Sequence, residues 1–111
     1  MEERRRVDRV KVSLAVTWEG KRATLRGEIT DLSVNGCFVL TDDKVKVGES
    51  IKLEILQPRS GHLFLQGEVI YRMAEIGFGV RFTGGAEADF KRLRWIVRAE
   101  LQRSENSSLR E

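Results

Sequence analysis

Between Val10 and Trp18 every second residue is apolar, with Val10, Val12, Leu14, Val16 and Trp18 alternating with Lys11, Ser13, Ala15 and Thr17. A period of two sends successive side chains to opposite faces of an extended chain, so this stretch buries one face only as a strand in a sheet. The pattern then repeats. Glu19-Gly20-Lys21-Arg22 is a turn sequence, after which Ala23, Leu25, Gly27 and Ile29 alternate with Thr24, Arg26, Glu28 and Thr30 as a second strand hairpinned to the first. Residues 37–41 make a short apolar third strand. A polar loop from Asp42 to Gly48 leads to a fourth, in which Ile51, Leu53 and Ile55 alternate with Lys52 and Glu54. The loop 57–62, with Pro58 and Gly61, precedes the longest strand, 63–72, in which Gly67 marks a bulge or a sharp bend. Phe78, Val80 and Phe82 alternate in a sixth. Six short strands with hairpin-scale loops predict a mainly β fold, a six-stranded antiparallel barrel that leaves no long edge exposed.

From Ala86 the period changes. Phe90, Leu93, Val97 and Leu101 fall at helical spacings, with Lys91, Arg92, Arg94 and Arg98 left for solvent, so an amphipathic helix to about Arg103 is predicted to dock on the barrel. Thr83 or Gly84-Gly85 starts it, and Glu87 and Asp89 suit the positive end of its dipole. The expected organisation is a flexible arginine-rich arm over 1–9, a barrel and helix over 10–103, and a disordered tail over 104–111.

Composition narrows the function classes. A chain of 111 residues is one domain's worth, able to bury roughly two thirds of its unfolded surface. Charged residues make up 33% of it, yet the net charge is only +3, which favours a small anion bound locally over a long polyanion. One cysteine excludes an internal disulfide and suits a reducing compartment. The chain opens on charges, and no stretch approaches the ~20 apolar residues that span a bilayer. Neither export nor membrane insertion is expected, and the expected location is the cytoplasm.

Two segments carry candidate chemistry. Arg4-Arg5-Arg6-Val7-Asp8-Arg9 packs four guanidinium groups into six residues. In extended chain Arg5 and Arg9 point to one side about 13 Å apart, and in a helical turn they lie about 6 Å apart, so in either case both forks can converge on one ligand. Guanidinium grips phosphate oxygens in bidentate fashion, and equally the O6/N7 edge of guanine. By itself the cluster is also what a solvated basic arm at a chain end looks like. The second segment is Asp31-Leu32-Ser33-Val34-Asn35-Gly36. Asp31 can accept from the N1–H and amino group of a guanine, Ser33 can serve a phosphate or a base, and Gly36 permits close backbone approach. It is also a plain Asx or Ser turn between strands two and three, with Asn35-Gly36 tolerating a left-handed conformation.

Together the two segments resemble the PilZ domain family, whose signatures are Arg-x-x-x-Arg before the first strand and Asp/Asn-x-Ser-x-x-Gly after the second. Here they are Arg5-Arg6-Val7-Asp8-Arg9 and Asp31-Leu32-Ser33-Val34-Asn35-Gly36, and the resemblance continues through Gly67-Glu68-Val69 and Gly77-Phe78-Gly79-Val80-Arg81-Phe82. It implies a bacterial six-stranded barrel with a C-terminal helix that binds cyclic di-GMP as a second-messenger receptor. By the same resemblance Arg5 and Arg9 hold guanine and phosphate, Asp31 takes a guanine edge, and Ser33 and Gly36 complete the pocket floor. An arginine at the position of Arg4 tends, in proteins the chain resembles, to accompany two stacked ligands, a role Arg6 can share. Tyr71 sits where some members place an aromatic that stacks on guanine, although its parity with Leu63, Leu65 and Val69 predicts a core position.

Cys37 reads as a small buried hydrophobe, and one histidine, His62, with one cysteine makes a poor metal set. No nucleophile-and-base pair is legible. The expectation is a non-enzymatic cyclic di-GMP receptor without cofactor that signals through an unidentified effector protein and binds no nucleic acid. Two alternatives remain open: a PilZ-like adaptor working by protein contact with little or no nucleotide binding, and a small-barrel nucleic-acid binder, marked by steep salt dependence.

Overall fold

The computed structural model describes residues 8–20, 23–58 and 61–109, so Arg4, Arg5 and Arg6 lie outside the described residues, as does most of the arm expected over 1–9. β1 (Val10–Glu19), β2 (Thr24–Leu32), β3 (Gly36–Leu40), β4 (Ser50–Ile55), β5 (Leu63–Met73) and β6 (Gly77–Gly85) precede one helix, α1 (Glu87–Leu109). All strand pairs are antiparallel in the order β1-β2-β3-β6-β5-β4, and β4 returns to β1 through Val16↔Ile55 and Trp18↔Leu53. This is the closed barrel that the alternation predicted.

The inward set is the apolar half of each alternating run. Val16, Ile29, Val39, Ile55, Leu63, Val69 and Phe78 have no exposure, and Trp18 packs edge-to-face on Phe78 with ring centroids 5.3 Å apart. α1 packs against β1 and β5, burying Leu93, Ile96 and Val97 while Phe90 and Leu101 are partly buried. Because β3 and β4 are not neighbours, their connection has to pass over a barrel end. Val45, in a loop whose composition reads as polar, is only 3% exposed there, and its carbonyl accepts from Arg72 Nη1 at 3.4 Å.

Two boundaries differ from expectation. β6 runs on through Gly84 and Gly85, and α1 continues to Leu109 instead of ending near Arg103. After Gly85 the chain holds no glycine or proline, so no backbone signal stops the helix within the tail expected over 104–111. No helix among the described residues is long and apolar enough to cross a membrane.

Cys37 is buried in β3, and desolvation pushes its thiol from 9.0 up to about 12. The thiolate is the reactive form. Iodoacetamide at pH 8 is therefore expected to alkylate native protein far more slowly than unfolded protein, with a rate set by opening of the barrel. Equal rates, read by mass spectrometry, would contradict this packing.

Candidate ligand-binding site

The site begins with register. Ile29 pairs with Val39 but Asp31 pairs with Phe38, which leaves Thr30 as an extra residue in β2. In an unbroken strand Asp31 would share the inward face of Ile29. The bulge instead sends Asp31 outward and Leu32 inward, where Leu32 is 1% exposed. β5 repeats the device, since Val69 pairs with Val80 and Tyr71 with Gly79, leaving Ile70 extra. Tyr71, expected in the core by parity, is consequently 46% exposed. The register of β1 also shifts, between Lys11 and Leu14. The outcome is one outward row of register partners, Lys11, Asp31, Phe38, Gly79 and Tyr71, crossing β1, β2, β3, β6 and β5 in turn.

Asp31 therefore lies in β2, ahead of the turn in which it was expected. The turn itself is built by Ser33, whose Oγ accepts from the backbone N–H of Asn35 at 3.1 Å and of Gly36 at 3.2 Å, while Ser33 N–H donates to the Gly36 carbonyl at 2.9 Å. Neither Asn35 nor Gly36 has positive φ. Gly36 is required for space, because a Cβ there would lie 2.0 Å from the Val80 carbonyl oxygen of β6. Gly79 serves a different neighbour. The Tyr71 ring lies over it, 2.3 Å from where a Cβ would be, and stacks on Phe38 with centroids 6.1 Å apart and planes 27° apart.

Above this wall is an open cavity of about 240 Å³. It brings together Arg9, Asp31, Ser33, Gly36 and Tyr71 from the sequence-predicted set, and adds Phe38 and Arg81. The last two were not singled out from sequence. Alternation of Phe78, Val80 and Phe82 already places Arg81 outward, but only strand order shows that it faces the turn of β2 and β3. Lys11 Nζ pairs with Asp31 Oδ1 at 2.8 Å; that oxygen is shielded from solvent and accepts no aligned hydrogen bond among the described residues. Arg81 Nη2 donates to Glu68 Oε1 from the neighbouring strand. Cationic forks, a carboxylate and stacked rings on one wall suit a ligand with anionic and planar aromatic parts. No group of three or more His, Cys, Asp or Glu placed to hold a metal occurs among the described residues.

The barrel is closed and antiparallel, and its pocket lies on the outer wall, over a strand-to-strand turn and beside the chain segment entering β1. The chain belongs to the PilZ domain family, whose model matches residues 3–99. Among solved structures it is similar to the PilZ domain of YcgR from Escherichia coli with c-di-GMP, at 16% identity and a TM-score of 0.79, over 96% of this chain and 98% of that one. It is also similar to the inhibitor of motility MotI/DgrA of Bacillus subtilis, at 20% identity and TM-score 0.75, covering 95% of this chain and 53% of that chain. The MrkH–c-di-GMP complex of K. pneumonia gives 15% identity and TM-score 0.80, covering 96% and 56%. The chain thus spans about half the length of the last two. At these identities the likeness is one of fold. No curated protein matches the chain.

Proposed function

We propose that the chain is a receptor for cyclic di-GMP that acts as a non-enzymatic signalling module in the cytoplasm. The observation that carries this reading is the joining, around one cavity, of Arg9 from before β1 with Asp31, Ser33 and Gly36 from the end of β2 and the turn after it. Family membership and the cyclic di-GMP named for the E. coli and K. pneumonia structures support it. A cavity of 240 Å³ is below the about 300 Å³ lower end of small-molecule pockets, so it takes one guanine end of the ligand. Asp31 accepts from the Watson–Crick edge of that base, and Tyr71 offers a stacking face. The phosphates stay at the mouth, within reach of Arg9 and, in this reading, of Arg5. Arg4, with Arg6, offsets the phosphate charge of a second stacked molecule, giving two ligands per chain.

The signal then passes to a protein. Next to the Phe38–Gly79–Tyr71 row, the row Leu40–Gly77–Met73 continues the outward face, with Leu40 42% and Met73 46% exposed. An apolar strip contiguous with the pocket suits an effector that reads the filled site.

Calorimetric titration with cyclic di-GMP, with GTP and single-stranded RNA as competitors, tests the reading. Saturation by the cyclic dinucleotide that neither competitor displaces is expected, at two ligands per chain; a ratio of one removes the role given to Arg4. Salt-sensitive uptake of RNA would favour a nucleic-acid binder, and no uptake of either would leave the protein-contact adaptor.

A further inference from the structure

The cavity that Arg9 lines carries a second cation, Arg81. We infer that Arg81 is the ligand-facing guanidinium of β6 and that Glu68 is its built-in counter-ion, so that this pair sets the concentration at which the pocket fills; the inference rests on the reading of the cavity as a cyclic di-GMP site. Arg81 lies in β6 between Gly36 of β3 and Glu68 of β5, its register partners on either side. On the β3 side Gly36 presents no side chain to Arg81, and Arg81 lines the same cavity as Ser33 and Asn35 of the turn. On the β5 side the carboxylate of Glu68 takes Nη2. A guanidinium has five donor hydrogens, so one contact anchors the fork without exhausting it.

Charge balance gives the pair its effect. Among the described residues lining the cavity the charged ones are Arg9, Asp31 and Arg81. Asp31 already has Lys11 as its partner, and Arg9 and Arg81 approach from different elements. A cyclic dinucleotide presents two phosphodiester groups on separate sides of its ring, and two separated cations answer that arrangement better than one. Arg81, however, meets the ligand half-neutralised. The anion has to share the fork with Glu68 or draw it away, so the carboxylate acts on the ligand through Arg81. Both side chains are partly exposed, at 55% for Arg81 and 36% for Glu68, which keeps the effect to a few-fold.

Four proteins titrated with cyclic di-GMP test this: wild type, Glu68→Gln, Arg81→Gln and the double variant. Glu68→Gln keeps an oxygen for Arg81 but removes the charge, and is expected to tighten binding about three- to fivefold. Arg81→Gln is expected to weaken it about fivefold and to flatten its salt dependence. In the double variant Glu68→Gln should bring almost no further gain, because its effect acts through Arg81. Unchanged or weaker binding by Glu68→Gln overturns the inference, as does a full gain in the Arg81→Gln background. Loss of binding accompanied by a lowered melting temperature would assign the pair to the fold and overturn it too. If wild type binds and the variants behave like it, this inference alone fails; if wild type takes up no cyclic di-GMP, the functional reading fails and this inference with it.

Discussion

Arg9→Ala is expected to lower the affinity for cyclic di-GMP about ten- to a hundredfold while leaving the melting temperature where it was. The binding loss follows from removing a charge-assisted, bidentate donor, worth about 1.5–3 kcal/mol where the partner group is left without it. The unchanged stability follows from position. Arg9 is exposed and stands one residue before Val10, the first residue of β1 and only 6% exposed, so the barrel closes without it. Surface substitutions of that kind change stability by no more than about 0.5 kcal/mol. Arg5→Ala is expected to lose affinity to a similar degree. Arg9→Lys separates charge from shape, since lysine keeps the point charge and lacks the planar fork; it should recover only part of the loss. Calorimetry and thermal melts on the same preparations give both numbers. Affinity equal to wild type for Arg9→Ala would remove Arg9 from the site even if the barrel is as described.

Much of this architecture was legible in the chain, and the parts that were not share a cause. Period-two runs gave all six strands, and the change to helical spacing gave the helix with Leu93 and Val97 on its buried side. Those are properties of one segment at a time. A bulge is a property of two. Nothing about Thr30 or Ile70 differs from an ordinary strand residue, and each becomes an extra residue only because the neighbouring strand advances one step while its own advances two. Hence parity assigned Tyr71 to the core, and Asp31 was placed in a turn although it lies within a strand. Arg81 was readable as outward and unreadable as part of a pocket, since its neighbours Gly36 and Glu68 are 45 and 13 positions away in the chain. Val45 is the same lesson in a loop: a valine among Asp42, Asp43, Lys44 and Lys46 looks incidental until the connection is laid over the barrel end. The site residues that motifs did mark are those whose roles depend on spacing along the chain. Those that were missed depend on spacing across the sheet.

The second large effect is expected at Gly36. Gly36→Ala should destabilise the fold by about 2–4 kcal/mol, because the new Cβ would sit 2.0 Å from the Val80 carbonyl oxygen. No real contact is that short, and the obstacle is backbone of the adjacent strand, which cannot rotate away as a side chain can. β3 and β6 must separate locally, straining the Gly36↔Arg81 and Cys37↔Val80 pairs and the turn bond that Gly36 N–H donates to Ser33 Oγ. For a chain of this size 2–4 kcal/mol corresponds to about 10–20 °C in melting temperature. Gly79→Ala is the proper control. Its added carbon also meets a neighbour at 2.3 Å, but that neighbour is the Tyr71 ring, half-exposed and able to swing outward at small cost. It should keep most of its stability and lose part of the stacking on Phe38, whereas Gly36→Ala should lose stability and ligand together. If both variants melt with wild type, the close packing of β3 on β6 at the pocket floor is wrong. If Gly79→Ala falls as far as Gly36→Ala, the Tyr71 ring is held more firmly than an outward-facing aromatic on a bulged strand ought to be.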